Sequence, residues 1–232
     1  MKNKAKLIER LTKNLDEGIM QFNRKDTKKA KELLYKVLND DPTNPEANYY
    51  LGLMYSKDQN WKKAVLHLKA VVDLGVNFLY TQQCRMILGY IYSKNKEYTR
   101  AEYEFLEVLK AKFNIVQVYA ALAAIKHYLG EKDEAIKYAE KACDVDSFNL
   151  NAKNTYGFFL CEYNIDVPKG LEMLREVVRI KPNNPAYLDS LGWAYHKKGD
   201  KKAAMASLSK AIELSKDNIE IMAHLDTVIY NY

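Results

Sequence analysis

At 232 residues with 48% apolar side chains, the chain carries more hydrophobic material than a disordered polymer, while a mean hydropathy of −0.42 and the lack of any eighteen-residue apolar run exclude a membrane-spanning helix. The formal charge of +6 lies at one end: the first 36 residues hold eleven Lys and Arg against five Asp and Glu, and the rest is balanced. That excess suits an outer, solvated face, and the lysines are not regularly interleaved with aromatic residues, which disfavours a nucleic-acid platform. Met1 to Met20 offers no apolar signal region, and three cysteines without a CxxC pair fit a reducing compartment, so a cytoplasmic, disulfide-free protein is expected.

Taken in order, the chain repeats one motif of two amphipathic helices joined by a turn. The periodicity starts near Lys4, where Leu7, Leu11, Leu15 and Phe22 form a stripe at helical spacing. Each first helix then carries a small residue in a fixed place: Gly18, Gly52, Gly89, Ala123, Gly157 and Gly192, at steps of 34, 37, 34, 34 and 35. The second helices answer with Ala30, Ala64, Ala101, Ala135, Gly170 and Ala204. The clearest copy is Leu188–Leu214. Two joints depart from the register: three extra residues near Val76–Thr81, and one around Cys161–Asp166, where Pro168 suits the first turn of the following helix. After the sixth pair, Ile221, Met222, Leu225, Val228 and Ile229 repeat the first-helix stripe, but Asp226 replaces the small residue, so this helix closes the array. Its Met222 and Ile229 either form an exposed apolar strip suited to self-association or are shielded by the last tyrosines.

A period of 34 residues of paired helices is the signature of repeat solenoids. Leu51-Gly52-x-x-Tyr55, Leu88-Gly89-x-x-Tyr92 and Leu191-Gly192-x-x-Tyr195, with Pro42 and Pro182 after second helices, resemble the tetratricopeptide repeat over about residues 11–232. The resemblance implies an all-α, right-handed α-solenoid of six helix pairs (about 11–44, 45–78, 82–115, 116–149, 150–184 and 185–218) plus a capping helix over 219–232, forming one domain across 1–232. The Lys-, Asn- and Tyr-rich vocabulary and the LDSLGWAY phrase look like bacterial members of that family.

No P-loop, GxSxG, HExxH or dinucleotide turn occurs, and Ser207-Leu-Ser-Lys210 falls mid-helix without companion motifs. His67, His127, His196 and His224 are scattered singly, without metal-ligand spacing, so neither a metal nor a cofactor is expected. Glu102, Glu104 and Glu107 read as a wet outer face, and Tyr55, Tyr92 and Tyr195 as core.

In tetratricopeptide arrays the first helices line a concave groove. The resemblance therefore places Tyr49, Tyr50, Leu53, Met86, Tyr90, Phe158 and Trp193 towards it, with Gln83, Gln117, Asn151, Asn154, Asp189 and His196 as polar neighbours. Either these rings hold a partner peptide or they cover adjacent repeats. The family's clamp for chaperone C-terminal tails needs Lys, Asn and Arg where Leu15, Ile19, Tyr50, Gln83 and Ile87 stand, which disfavours that partner. The asparagine ladder of sugar-transferase arrays fails too, since its column holds Asp16, Tyr50, Ile87, Ala121, Thr155, Ser190 and His224. The expectation is a non-catalytic adaptor for a protein or peptide partner. A homo-oligomeric scaffold using the capping helix and the basic first repeat is the alternative.

Overall fold

The computed structural model describes residues 2–113, 115–216 and 218–230, with side chains from Lys4 onward. Tyr232, one of the tyrosines expected to shield the last helix, lies outside the described residues. Among the described residues the fold is all-α: α1 (Lys2–Asn23), α2 (Thr27–Asp40), α3 (Pro45–Lys57), α4 (Trp61–Leu74), α5 (Phe78–Lys94), α6 (Tyr98–Lys110), α7 (Ile115–Tyr128), α8 (Lys132–Val145), α9 (Leu150–Glu162), α10 (Val167–Ile180), α11 (Pro185–Lys198), α12 (Lys201–Leu214) and α13 (Ile219–Tyr230). No helix among them is long and apolar enough to cross a membrane.

The boundaries follow from local chemistry. Asp26, Asn44, Asn60, Asn77, Asn149, Asp166, Asn184 and Asp200 each accept a hydrogen bond from the backbone N–H three residues on, satisfying a donor that the first turn leaves unpaired. Pro45 and Pro185 open their helices, where no N–H is needed. Gly199 closes α11 at φ 84°, a left-handed conformation that costs glycine little.

The chain divides into two compact units, 1–113 and 114–232. In the first, α1/α2, α3/α4 and α5/α6 are antiparallel pairs, and α3 packs beside both α1 and α5. Leu34, Leu51, Leu68, Leu88 and Ile91 are completely buried there. In the second, α7/α8, α9/α10 and α11/α12 pair, and α13 follows against α11 and α12, over a core that includes Leu122, Leu174 and Leu208.

The recurrent small residue is a hole for a knob on the second helix. A Cβ on Gly52 would lie 2.6 Å from Leu68 Cδ2, one on Gly89 2.7 Å from Phe105, and one on Gly192 2.6 Å from Leu208. Each knob is sixteen residues after its hole. Where the first helix has Ala123, the knob position holds Ala139, both fully buried, so a hole narrowed by a methyl group faces a smaller knob. The fifth pair is tighter still: a Cβ on Gly170 would lie 2.6 Å from the Gly157 carbonyl oxygen and 2.5 Å from Cys161 Sγ.

Both irregular joints have structural forms. The three extra residues lengthen α5, which starts eleven residues before Gly89, whereas α3 starts seven before Gly52. The residue added in the fifth pair enlarges the α9–α10 turn, with Asn164 at φ 54° and Pro168 in the first turn of α10. One expectation needs correction. Glu104 is buried, not part of a wet face, because Arg85 on α5 reaches it with a 2.7 Å hydrogen bond. Burial raises its carboxyl pKa and the Arg85 guanidinium opposes that shift.

Candidate functional site

In the first unit, the aromatic residues of α3 and α5 pack mainly on each other. Tyr49 is buried, stacks on Tyr80 at 4.1 Å and donates its hydroxyl proton to Gln83 Oε1. Burial lifts its pKa to about 12. Tyr50 is half-buried, with its ring edge-on to Phe22 and Tyr49. Leu53 and Met86 are half-buried beside the core, and Tyr90 stands exposed with Trp61 and Lys94 next to its ring. These five positions form an inter-helix seam with one open ring at its end.

The second unit holds a cavity of about 390 Å³ built by four successive first helices. Helix α7 contributes Ala124, His127 and Tyr128; α9 contributes Asn154, Thr155, Phe158 and Phe159; α11 contributes Ala186, Asp189 and Ser190; α13 contributes Glu220 and His224. One turn of each helix meets the same space because these helices pack in sequence, α7 on α9, α9 on α11 and α11 on α13. The lining contains no lysine or arginine.

A polar chain crosses its floor. Ser190 Oγ donates to the Ala186 carbonyl at 3.0 Å and accepts from Asn154 Nδ2 at 3.1 Å. The amide orientation is thereby fixed, and Asn154 Oδ1 is left buried without a protein partner among the described residues. At the α13 side, His224 Nδ1 donates to Asp189 Oδ1 at 2.8 Å, and its ring stacks on Trp193 at 4.4 Å. Trp193 also donates its indole N–H to Glu162 Oε2 at 2.6 Å, packs against His196, and carries Lys197 Nζ over its face. At the α7 side, His127 stacks on Phe159, and its Nδ1 lies 2.7 Å from the Tyr163 hydroxyl. Burial pushes the pKa of His127 below the ordinary histidine range, with Glu162 opposing. Burial does the same at His196, helped by Lys197 and His224.

The structure therefore gathers Asn154, Phe158 and Asp189 in one cavity, with Trp193 and His196 on its flank, and leaves Asn151 outside as an exposed acceptor for the Tyr187 hydroxyl at 2.5 Å. His127, Glu162, Glu220 and His224 complete the cluster and are not among the expected groove residues. For His224 the signal is the repeat register, since Thr155, Ser190 and His224 occupy one column of the aligned first helices. No group of three or more His, Cys, Asp or Glu suited to a metal occurs among the described residues. Burial raises the thiol pKa of Cys84 to about 12 and of Cys143 and Cys161 to about 11, so the three free cysteines are poor nucleophiles. The arrangement can offer two carboxylates, Asp189 and Glu220, and aromatic rings to a side chain.

A family model described as tetratricopeptide repeat matches residues 116–149 and 186–218. In sequence, the chain is 24% identical over 192 residues to the mitochondrial import receptor subunit TOM70 of Rattus norvegicus, covering 80% of this chain and 31% of that protein. Among solved structures it resembles pilF of Pseudomonas aeruginosa at a TM-score of 0.69 and 16% identity, covering 94% of this chain and 97% of that one. It also resembles YrrB, described as a TPR protein with an unusual peptide-binding site, at a TM-score of 0.57 and 16% identity, over 82% and 96% of the two chains. With its paired helices and knob-and-hole register, this all-α chain carries tetratricopeptide repeats at residues 116–149 and 186–218, and its other helix pairs resemble them.

Proposed function

We propose that the chain is a non-catalytic adaptor that holds a segment of a protein partner against the first helices of its helix pairs. Tetratricopeptide-repeat proteins generally mediate protein–protein interactions, which supports the class of function. The observation that carries the specific reading is the cavity in the second unit, where four consecutive first helices supply aromatic walls and a fixed set of polar groups. Stacking by neighbouring helices fixes these groups in advance, so ordering costs fall mainly on the incoming segment. The thiol chemistry is compatible with work in a reducing compartment such as the cytoplasm.

Ala186 lies exposed on the cavity rim, so Ala186→Trp fills the space without touching the core. Partner recovered by the wild-type chain from its native host should fall by about tenfold with this variant, the scale of losing one buried anchor, while far-UV circular dichroism stays unchanged. Undiminished recovery by a folded variant would reject the cavity as the binding site.

A second reading is favoured by a different surface. On α13, Ile219, Met222, Ile229 and Tyr230 are 81%, 46%, 37% and 79% exposed, an apolar strip of the kind that supports self-association into a scaffold, with the basic first repeat as a further contact. Light scattering that shows a concentration-independent monomer, or an Ile229→Lys variant of unaltered size, would dismiss it.

A further inference from the structure

The cavity of the second unit has a definite charge preference. Its lining includes two carboxylates, Asp189 and Glu220, and no lysine or arginine; the two histidines are His127, where burial disfavours the charged form, and His224, whose Nδ1–H is committed to Asp189. Asn154 and Ser190 are tied to each other and to the Ala186 carbonyl, so this part of the lining is fixed in place. The walls include the rings of Phe158, Phe159 and Tyr128. Carboxylates and aromatic rings together complement a positively charged donor. The same unit already seats one of its own cations in this way: Lys197 Nζ lies 5.4 Å above the centre of the Trp193 ring and 3.2 Å from Glu162 Oε2.

We propose that this cavity takes a basic side chain of the partner, a lysine ammonium or an arginine guanidinium, with its stem against Phe158 and its N–H donors directed to Asp189 and Glu220. The inference rests on the adaptor reading and gives it a chemical class: segments with a basic residue bind, and segments ending in a free carboxylate or carrying phosphate are repelled. It is the reverse of a cationic clamp.

The test uses the full chain and a displayed random peptide library. Selected peptides should share a Lys or Arg at one position, and changing that residue to Gln should weaken binding measured by calorimetry. The protein-side variants are Glu220→Gln, at an exposed residue, and the double variant Asp189→Asn with Glu220→Gln. Asparagine can still accept from His224 Nδ1–H, so the double variant should keep its helicity. It should bind the selected peptide about tenfold more weakly, the scale of one charge-assisted hydrogen bond. Peptides without a common basic residue, acidic peptides, or equal affinity for the folded double variant would overturn the proposal while leaving the adaptor reading in place. No enriched peptide on the wild-type chain would overturn the adaptor reading itself, and this proposal with it.

Discussion

His67 shows how a residue that looks isolated in sequence becomes structural. Asn48 Nδ2 donates to the Pro42 and Asn44 carbonyls, which turns Oδ1 towards His67 Nδ1 at 2.9 Å; that ring nitrogen must donate, so Nε2 accepts from the Tyr35 hydroxyl at 3.3 Å. The partners lie 19 and 32 residues away, so no local pattern reveals them. Burial lowers the pKa of His67, with Lys63 adding to the effect. Above about pH 7 both folded and unfolded chains hold the ring neutral, and nothing is lost. As pH falls through the unfolded value of about 6.5, the unfolded chain takes the proton first, so stability declines down to the depressed native pKa. His127 and His196 act in the same direction. The urea midpoint should therefore fall between about pH 7 and pH 5, and His67→Gln should flatten that slope. At Gly170 the obstacle is backbone, the Gly157 carbonyl at 2.6 Å, so Gly170→Ala should destabilise by about 2 kcal/mol in urea unfolding, the cost of overpacking a close approach.

At the level of helices, most of the structure was readable because the pairs repeat. A small residue at fixed spacing locates the helix pairs, and the structure adds the ends, with an Asn or Asp cap before the first turn in most helices, Asn218 before α13 included. The reading was weaker where insertions fall. Counting shows three extra residues near Val76–Thr81, but only the Asn77 cap and the absence of proline decide that they extend α5 as helix instead of widening the loop. The cost is visible: Phe78 and Leu79 emerge 59% and 48% exposed, although Phe78 keeps an edge contact with Phe113. Two helices lack a side-chain cap, α6 after Glu97 and α8 after Glu131. Glu131 has φ −86° and ψ 72°, close to the −80° and 76° of the capping Asp26. Shortening it by one methylene in Glu131→Asp should add the missing hydrogen bond and stabilise by about 0.5–1 kcal/mol in thermal or urea unfolding, less the exposed Lys126 pair.

For the molecule as a whole, each unit is held by its own buried leucines and by contacts between neighbours in sequence. Such a chain unfolds in parts. Calorimetry should give a van't Hoff enthalpy below the measured one, and hydrogen exchange should be fastest in the first turns of α1, where residues 4–10 are all exposed. The candidate site was legible at this scale only in part. Register identified the lining helices and Asn154, Phe158 and Asp189, but the repeat pattern carries no information on rotamers or cross-helix pairing, so the Asp189–His224 and Trp193–Glu162 contacts had to come from packing. Those contacts have an optical consequence. The chain has two tryptophans, Trp61 in the first unit and Trp193 in the second. Trp61→Phe leaves a single tryptophan, excitable apart from the tyrosines at the red edge of absorption, whose indole stacks on a cavity-lining imidazole, so occupancy of that cavity becomes readable as a change in emission, without a label and at micromolar protein.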